Sequence, residues 1–293
     1  MVETKEIKSI ELTPFAKMSA TIYAILAFIV AIIAFVSLTI LQVANIFPSI
    51  SQVNLVAGVG LPLLVILPVI AFFGTLVACF VSAFLYNTLV PRLGGIELEF
   101  DGIEVTKIPV VPFALIQSAI VAIWAFIAGL FLAGVINIMV TFFAGVVPAI
   151  TNEITTFNNT TFPLGLTGMP AGMDMVVISL LLIIGLPILL FVFVFIYSAL
   201  YALVYNYLAS RVAKIKLEFV QIAGNLHELK HIPVVQTALA LAIISGILGF
   251  IDLLMGNGDP VSSFISQFIM VALVAILYNY LAPKIGAVKL ELE

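Results

Sequence analysis

Polar side chains are scarce in the long apolar stretches of this chain, so the ones that recur at fixed places carry the argument. Asn87, Asn206 and Asn279 each follow a tyrosine, Tyr86, Tyr205 or Tyr278, at the end of an apolar run. A carboxamide both donates and accepts hydrogen bonds. At the end of a membrane helix it can satisfy free backbone carbonyls, with the neighbouring tyrosine anchored at the interface. Three carboxamides placed equivalently around an axis could instead form a polar ring lining a vestibule, which Gln117 and Gln236 would extend. These three asparagines are the candidate site.

The remaining chemistry-bearing residues point nowhere as clearly. His227 and His231 are four apart on an alternating segment, which puts them on one strand face but too far apart for easy joint chelation. Cys79 is the single cysteine and lies in an apolar run, so an intrachain disulfide and a multi-cysteine metal site are both excluded. The sequence has no HExxH, P-loop, GxSxG or cysteine–histidine framework. No catalytic, metal or cofactor role is therefore expected. Ionisable residues are essentially missing from the middles of the apolar runs, where ion and proton pathways usually place them. Asp174 and Asp252 fall at helix ends.

The elements around the asparagines are legible from composition and spacing. The 293 residues are 63% hydrophobic and 9% charged, too apolar for one soluble core. Apolar runs of 20 or more residues match a hydrocarbon layer of roughly 30 Å. The net charge of −4 and the lack of a basic cluster argue against nucleic acid as a partner. Residues 1–13 are polar and carry Glu3, Glu6 and Glu11, unlike the basic start of a cleavable signal, so the first helix is expected to remain as an anchor.

The stretch 86–100 returns as 205–219 and again as 278–292. Each copy runs from Tyr-Asn past a cation, Arg92, Arg211 or Lys284, into alternating apolar and acidic residues. Residues 6–14, 104–112 and 228–236 form a second matched set, with Glu6 aligned to Glu104 and Ile10 to Ile108. A third landmark is Pro68, Pro187 and Pro260, each 18 positions before its tyrosine, a helical rise of about 27 Å. Asp259-Pro260 reads as an N-cap followed by proline at the first helical position. At Pro68 and Pro187 a kink or helix break is expected. Asp101-Gly102 between alternating segments marks a hairpin turn.

The expected architecture is an α-helical polytopic membrane protein of about six spans, built as three tandem strand–helix–helix–strand units, 1–100, 101–222 and 223–293. Its strands, about 5–12, 95–100, 103–108, 214–222, 226–231 and 287–292, would join in a small cytoplasmic β-sheet or barrel. The first and last strands, around Ile7 to Ile10 and Val288 to Leu292, are expected to pair because unpaired edges are an association liability. All eleven cations lie in the strands, hairpins or adjacent helix ends. By the positive-inside rule both termini are therefore cytoplasmic, in a multi-pass protein of the cell membrane. The long loop 148–172 would face outward, with overlapping acceptor sequons at Asn158 and Asn159.

Phe84-Leu85-Tyr86-Asn87, followed by Gly94-Gly95-Ile96-Glu97-Leu98, resembles a bacterial two-helix transmembrane domain family of unknown function. Members of that family end in Phe-Leu-Tyr-Asn, then Gly-Gly, then a short acidic strand. The resemblance covers unit one well and the other two partly, where Ala213-Lys214 and Gly286-Ala287 replace the Gly-Gly pair. It implies architecture and no activity. The functional expectation is a non-enzymatic scaffold or accessory subunit that associates with the lipid bilayer and with a protein partner or itself. A passive channel or transporter along the threefold axis is the alternative, and a sensor using the outer loop is the third.

Overall fold

The computed structural model describes residues 2–44, 56–154, 175–256 and 258–293. The sequons and Asp174 lie outside the described residues. Among the described residues six helices are long and apolar enough to cross a membrane: Leu12–Val43, Val56–Leu93, Val110–Ile136, Val176–Val212, Val234–Leu254 and Pro260–Ile285. Beside them lies one antiparallel sheet of six strands. The chain is a multipass membrane protein with a small β-sheet.

The elements run β1 (Val2–Ile10), α1 (Leu12–Val43), α2 (Leu61–Leu93), β2 (Ile96–Asp101), β3 (Glu104–Lys107) and α3 (Val110–Ile154). They continue with α4 (Met175–Leu180), α5 (Leu186–Val204), α6 (Ser210–Val212), β4 (Glu218–Ala223), β5 (Leu226–His231), α7 (Val234–Leu254), α8 (Pro260–Ile285) and β6 (Lys289–Leu292). Single π-helical turns precede α2 at Val56–Gly60 and α5 at Leu181–Gly185, and another follows α5 at Tyr205–Ala209. The chain forms two compact units, residues 1–116 with 199–293, and residues 117–198.

The first unit holds the whole sheet. Its strand order is β3-β2-β1-β6-β5-β4. The expected pairing of the chain ends is present, with Ile7 opposite Leu292 and Ile10 opposite Leu290. Reciprocal backbone bonds join Glu6 and Glu293 at 2.8 and 3.0 Å. At the other end of the order, Val105 N–H donates to the Ile215 carbonyl at 2.8 Å, and Leu217 N–H donates to Ile103 at 2.9 Å. Those bonds form an antiparallel bridge between Glu104 and Lys216. The strand order thus returns on itself through the segment leading into β4. Alternation along each strand sends apolar residues inward. Phe100 and Val105 join Ala202, Tyr205, Ile244 and Leu248 in one buried cluster. Ala287 and Val288 join Met18, Ile22, Leu26 and Tyr278 in another.

In the second unit, α3 passes Gly129 so close to the Leu182 carbonyl and Ile183 Cα that a Cβ would collide. The helix continues to Ile154, so the first residues of the stretch expected as loop 148–172 are helical. The proline expectations divide. Asp259 accepts from Val261 N–H at 3.1 Å, with Pro260 opening α8 as the sequence suggested. Near Pro187 the helix widens into a π turn that ends at Gly185, which accommodates the hydrogen bond a proline cannot make. At Pro68 the structure has no helix break. The residue lies inside the continuous helix α2, and the nearest π turn ends at Gly60. A proline in a membrane helix loses only one ladder bond, and such a loss is tolerated inside spanning helices.

Candidate functional site: three tyrosine–asparagine clamps

Each asparagine sits on the last turns of a long helix, beside the strand-to-helix junction of the segment that began its own pair of spans. Asn87 Nδ2 donates to the Ile10 carbonyl at 2.9 Å, and its Oδ1 accepts from Ile10 N–H at 2.8 Å. Asn206 makes the same two bonds to Ile108, at 2.8 and 2.9 Å. Asn279 makes them to Ile232, again at 2.8 and 2.9 Å. The carboxamide thus does what a neighbouring strand would do: it meets the N–H and C=O of one residue just where the strand ladder runs out. Buried backbone groups need such partners.

The preceding tyrosine completes each clamp. Tyr86 donates its hydroxyl to the Ile7 carbonyl at 2.7 Å and Tyr278 to Leu229 at 2.5 Å, while Tyr205 donates to Val105. The same oxygen accepts from the returning strand, from Ile215 N–H at 3.2 Å and from Val288 N–H at 3.1 Å. Ile96 occupies the matching position ten residues after Tyr86. At Tyr205 and Tyr278 the hydroxyl therefore bridges the two strand segments that flank its pair of spans. The rings are buried, with relative exposures of 5%, 0% and 4% for Tyr86, Tyr205 and Tyr278. This corrects the expectation of interfacial anchors. An anchoring ring stays wet at one end, whereas these are core residues with a satisfied polar tip.

Around this common frame the charges differ. Glu6 accepts from Gly95 N–H at 2.8 Å and from Lys8 Nζ at 2.6 Å. The lysine bond holds its carboxyl below the usual range against the opposing effect of burial, and the Gly95 bond adds to the lowering. At the matching place Glu104 meets Lys214 at 2.8 Å and Lys216 at 3.0 Å. Those two bonds, Lys214 first, hold the Glu104 carboxyl low, and the Glu104 carboxylate raises Lys214 in return. Glu228 faces Lys289 in the strand register.

The other singled-out residues do not join the clamps. Gln117 and Gln236 are exposed on their helices. His227 Nδ1 lies 2.9 Å from the Asn225 carbonyl, and His231 Nδ1 lies 3.6 Å from the Glu218 carboxylate. Among the described residues no group of three or more His, Cys, Asp or Glu is placed to hold a metal. The tyrosine bridge was missed by sequence reasoning. Its signal was the constant ten-residue step from each tyrosine to Ile96, Ile215 or Val288. No family model, curated protein or solved structure matches the chain.

Proposed function

We propose that the chain is a non-enzymatic membrane scaffold made of three tandem copies of one strand–helix–helix–strand element, of the kind its first unit resembles. The units are 1–100, 101–222 and 223–293, arranged with pseudo-threefold symmetry, and their six strands close a small barrel in the cytoplasm. Both termini lie on that side of the cell membrane. The barrel offers its outer surface to a protein partner or to a second copy.

The observation that carries this reading is the set of three clamps, in which an asparagine and the tyrosine before it bond matching backbone groups at each of three places. It favours a scaffold over a conduit. A passage needs polar groups or water along its length, yet both sides of each asparagine carboxamide are bonded to backbone. The strand residues Phe100 and Val105, and Val288 just before β6, are apolar and buried. The polar ring of Asn87, Asn206 and Asn279 thus serves to hold strands to helices.

Two measurements test it. Reporters fused after Gly102, after Gly224 and at the C-terminus are expected on the cytoplasmic side, and a reporter at 158–161 on the other. A cytoplasmic signal from 158–161 would overturn the six-span orientation. Purified protein in sealed vesicles is expected to pass ions and small solutes no faster than empty vesicles. A selective flux would replace the scaffold with a channel.

A further inference from the structure

The cations sort into two populations. Those on strands and hairpins are neutralised: Lys5 by Glu3 at 3.6 Å, Lys8 by Glu6 at 2.6 Å, Lys107 by Glu99 at 2.9 Å, Lys214 and Lys216 by Glu104, and Lys289 by Glu11 at 3.9 Å. Lys230 is the exception. The cations at the helix ends, Lys17, Arg92, Arg211 and Lys284, have no carboxylate within 4.0 Å among the described residues, and all four are exposed.

Two of these four lie at the same junction, where α1 begins and α8 ends. Lys17, in the first turns of α1, extends its Nζ to 3.5 Å from the carbonyl of Ile285, the last residue of α8. Lys284, the preceding residue, holds its ammonium 3.4 Å above the Tyr280 ring centroid. Below them α1 and α8 pack through Met18, Ile22 and Leu26 against Tyr278, Leu281 and Ala282. Two like charges with no counter-ion therefore stand where an apolar helix seam meets water. The carboxylate nearest in sequence, Glu11, faces Lys289 instead. An anion that reached both would neutralise both. One source of anions lies at this depth, the surrounding bilayer, whose anionic headgroups attract cations at helix ends.

We propose that the α1–α8 seam is a binding site for an anionic phospholipid, its headgroup phosphate held between Lys17 and Lys284 and its acyl chains lying along the apolar seam. The tyrosine under Lys284 keeps that ammonium in place by a cation–π contact. Arg92 and Arg211, at the equivalent exits of α2 and of the span ending at Val212, lack a second cation from a neighbouring helix start. Leu115 and Leu239 occupy the positions that match Lys17. The site is therefore single.

The test is native mass spectrometry of the full chain released from nanodiscs of phosphatidylcholine with a minor share of phosphatidylglycerol. One phosphatidylglycerol is expected to stay bound. Each lysine contributes about fivefold to retention, so K17Q with K284Q should lose about twenty-five-fold. The charge-keeping pair K17R and K284R should retain the lipid, which guards against misfolding of the glutamine pair. K107Q, which removes a paired strand cation, should change nothing. Equal retention by the glutamine pair would overturn the site. So would a thermal shift from inorganic phosphate alone, in pure phosphatidylcholine, matching that from the lipid.

Discussion

Two of the three helix exits are built on glycine and the third is not. Gly94 ends α2 with φ +84° and Gly286 ends α8 with φ +92°. Both are in the left-handed region that a residue with a Cβ occupies only at a cost. The matching residue of the second pair of spans is Ala213, which is extended at φ −147° and ψ 136°. There the helix widens into a π turn at Tyr205–Ala209 and ends through the short α6. Different backbones nevertheless deliver the same bonds to the same strand positions. The clamp side chains, rather than a common turn, fix how the strands meet the helices, and the helix end adapts to whichever residue it has been given.

The strongest way to break this comparison is to remove a clamp. Asn206→Ala leaves the Ile108 N–H and C=O unsatisfied, and each such group costs about 1–3 kcal/mol. A loss of roughly 3 kcal/mol is expected, read as thermal or denaturant unfolding in mild detergent. Asn279→Ala should lose about as much. If one clamp proves far weaker than the other, the glycine exit and the π-turn exit are not equivalent supports.

That result bears on what the sequence could say. The spans and the hairpin at Gly102 followed from apolar run length, alternation and turn chemistry, because those patterns report directly on burial. The pairing of the first strand with the last followed from the liability of leaving their edges unpaired. The asparagines stood out because an apolar background makes any repeated polar residue visible. The partners of their carboxamides did not, since backbone groups carry no sequence signature. The π turns were equally hidden. Ala213-Lys214 in place of Gly94-Gly95 told only that the exit must differ, and Pro68 misled because a proline that matters at one helix start is tolerated inside another. The expected strand 214–222 also divides, into the bridge at Lys216 and β4 proper.

The next prediction acts on the glycine exits. The ideal Cβ of Gly286 meets nothing within 4 Å, so Gly286→Ala isolates backbone strain from crowding. About 1–2 kcal/mol should be lost. Gly95→Ala differs in kind. Its Cβ would stand 2.7 Å from Glu6 Cγ and 2.8 Å from the Ile7 carbonyl oxygen, so its cost is crowding against the β1 backbone. A Gly286→Ala chain as stable as the parent would mean that this exit is relaxed rather than held.

The ionic seam beside the π-turn exit is smaller and depends on pH. Glu104→Gln removes the carboxylate that meets Lys214 and Lys216 and should cost about 1 kcal/mol, since the side chain is 30% exposed and partly screened. The carboxyl is held below its ordinary 4.5, chiefly by the Lys214 bond and then by Lys216. Its stabilisation is therefore full above that ordinary value and fades as pH falls through the lowered folded value. Unfolding curves of parent and variant should converge on acidification. A gap that persists below the lowered value would mean the loss comes from packing.

The smallest effect is the sharpest test of the comparison. Ala213→Gly gives the third exit the residue found at the other two. If the π turn were a makeshift forced by alanine, glycine would let the helix end as at Gly94, and stability would hold or rise. If the clamp sets the geometry, Ala213 keeps its extended conformation, which any residue adopts without strain. The change then only enlarges the freedom of the unfolded chain, by about 0.4–1 kcal/mol, and removes a methyl that is 9% exposed within the cluster around Tyr205. A loss of about 1 kcal/mol is expected, with the Asn206 bonds intact in hydrogen exchange at Ile108. A gain in stability would show that the backbone, and not the side-chain clamp, chooses how this helix ends.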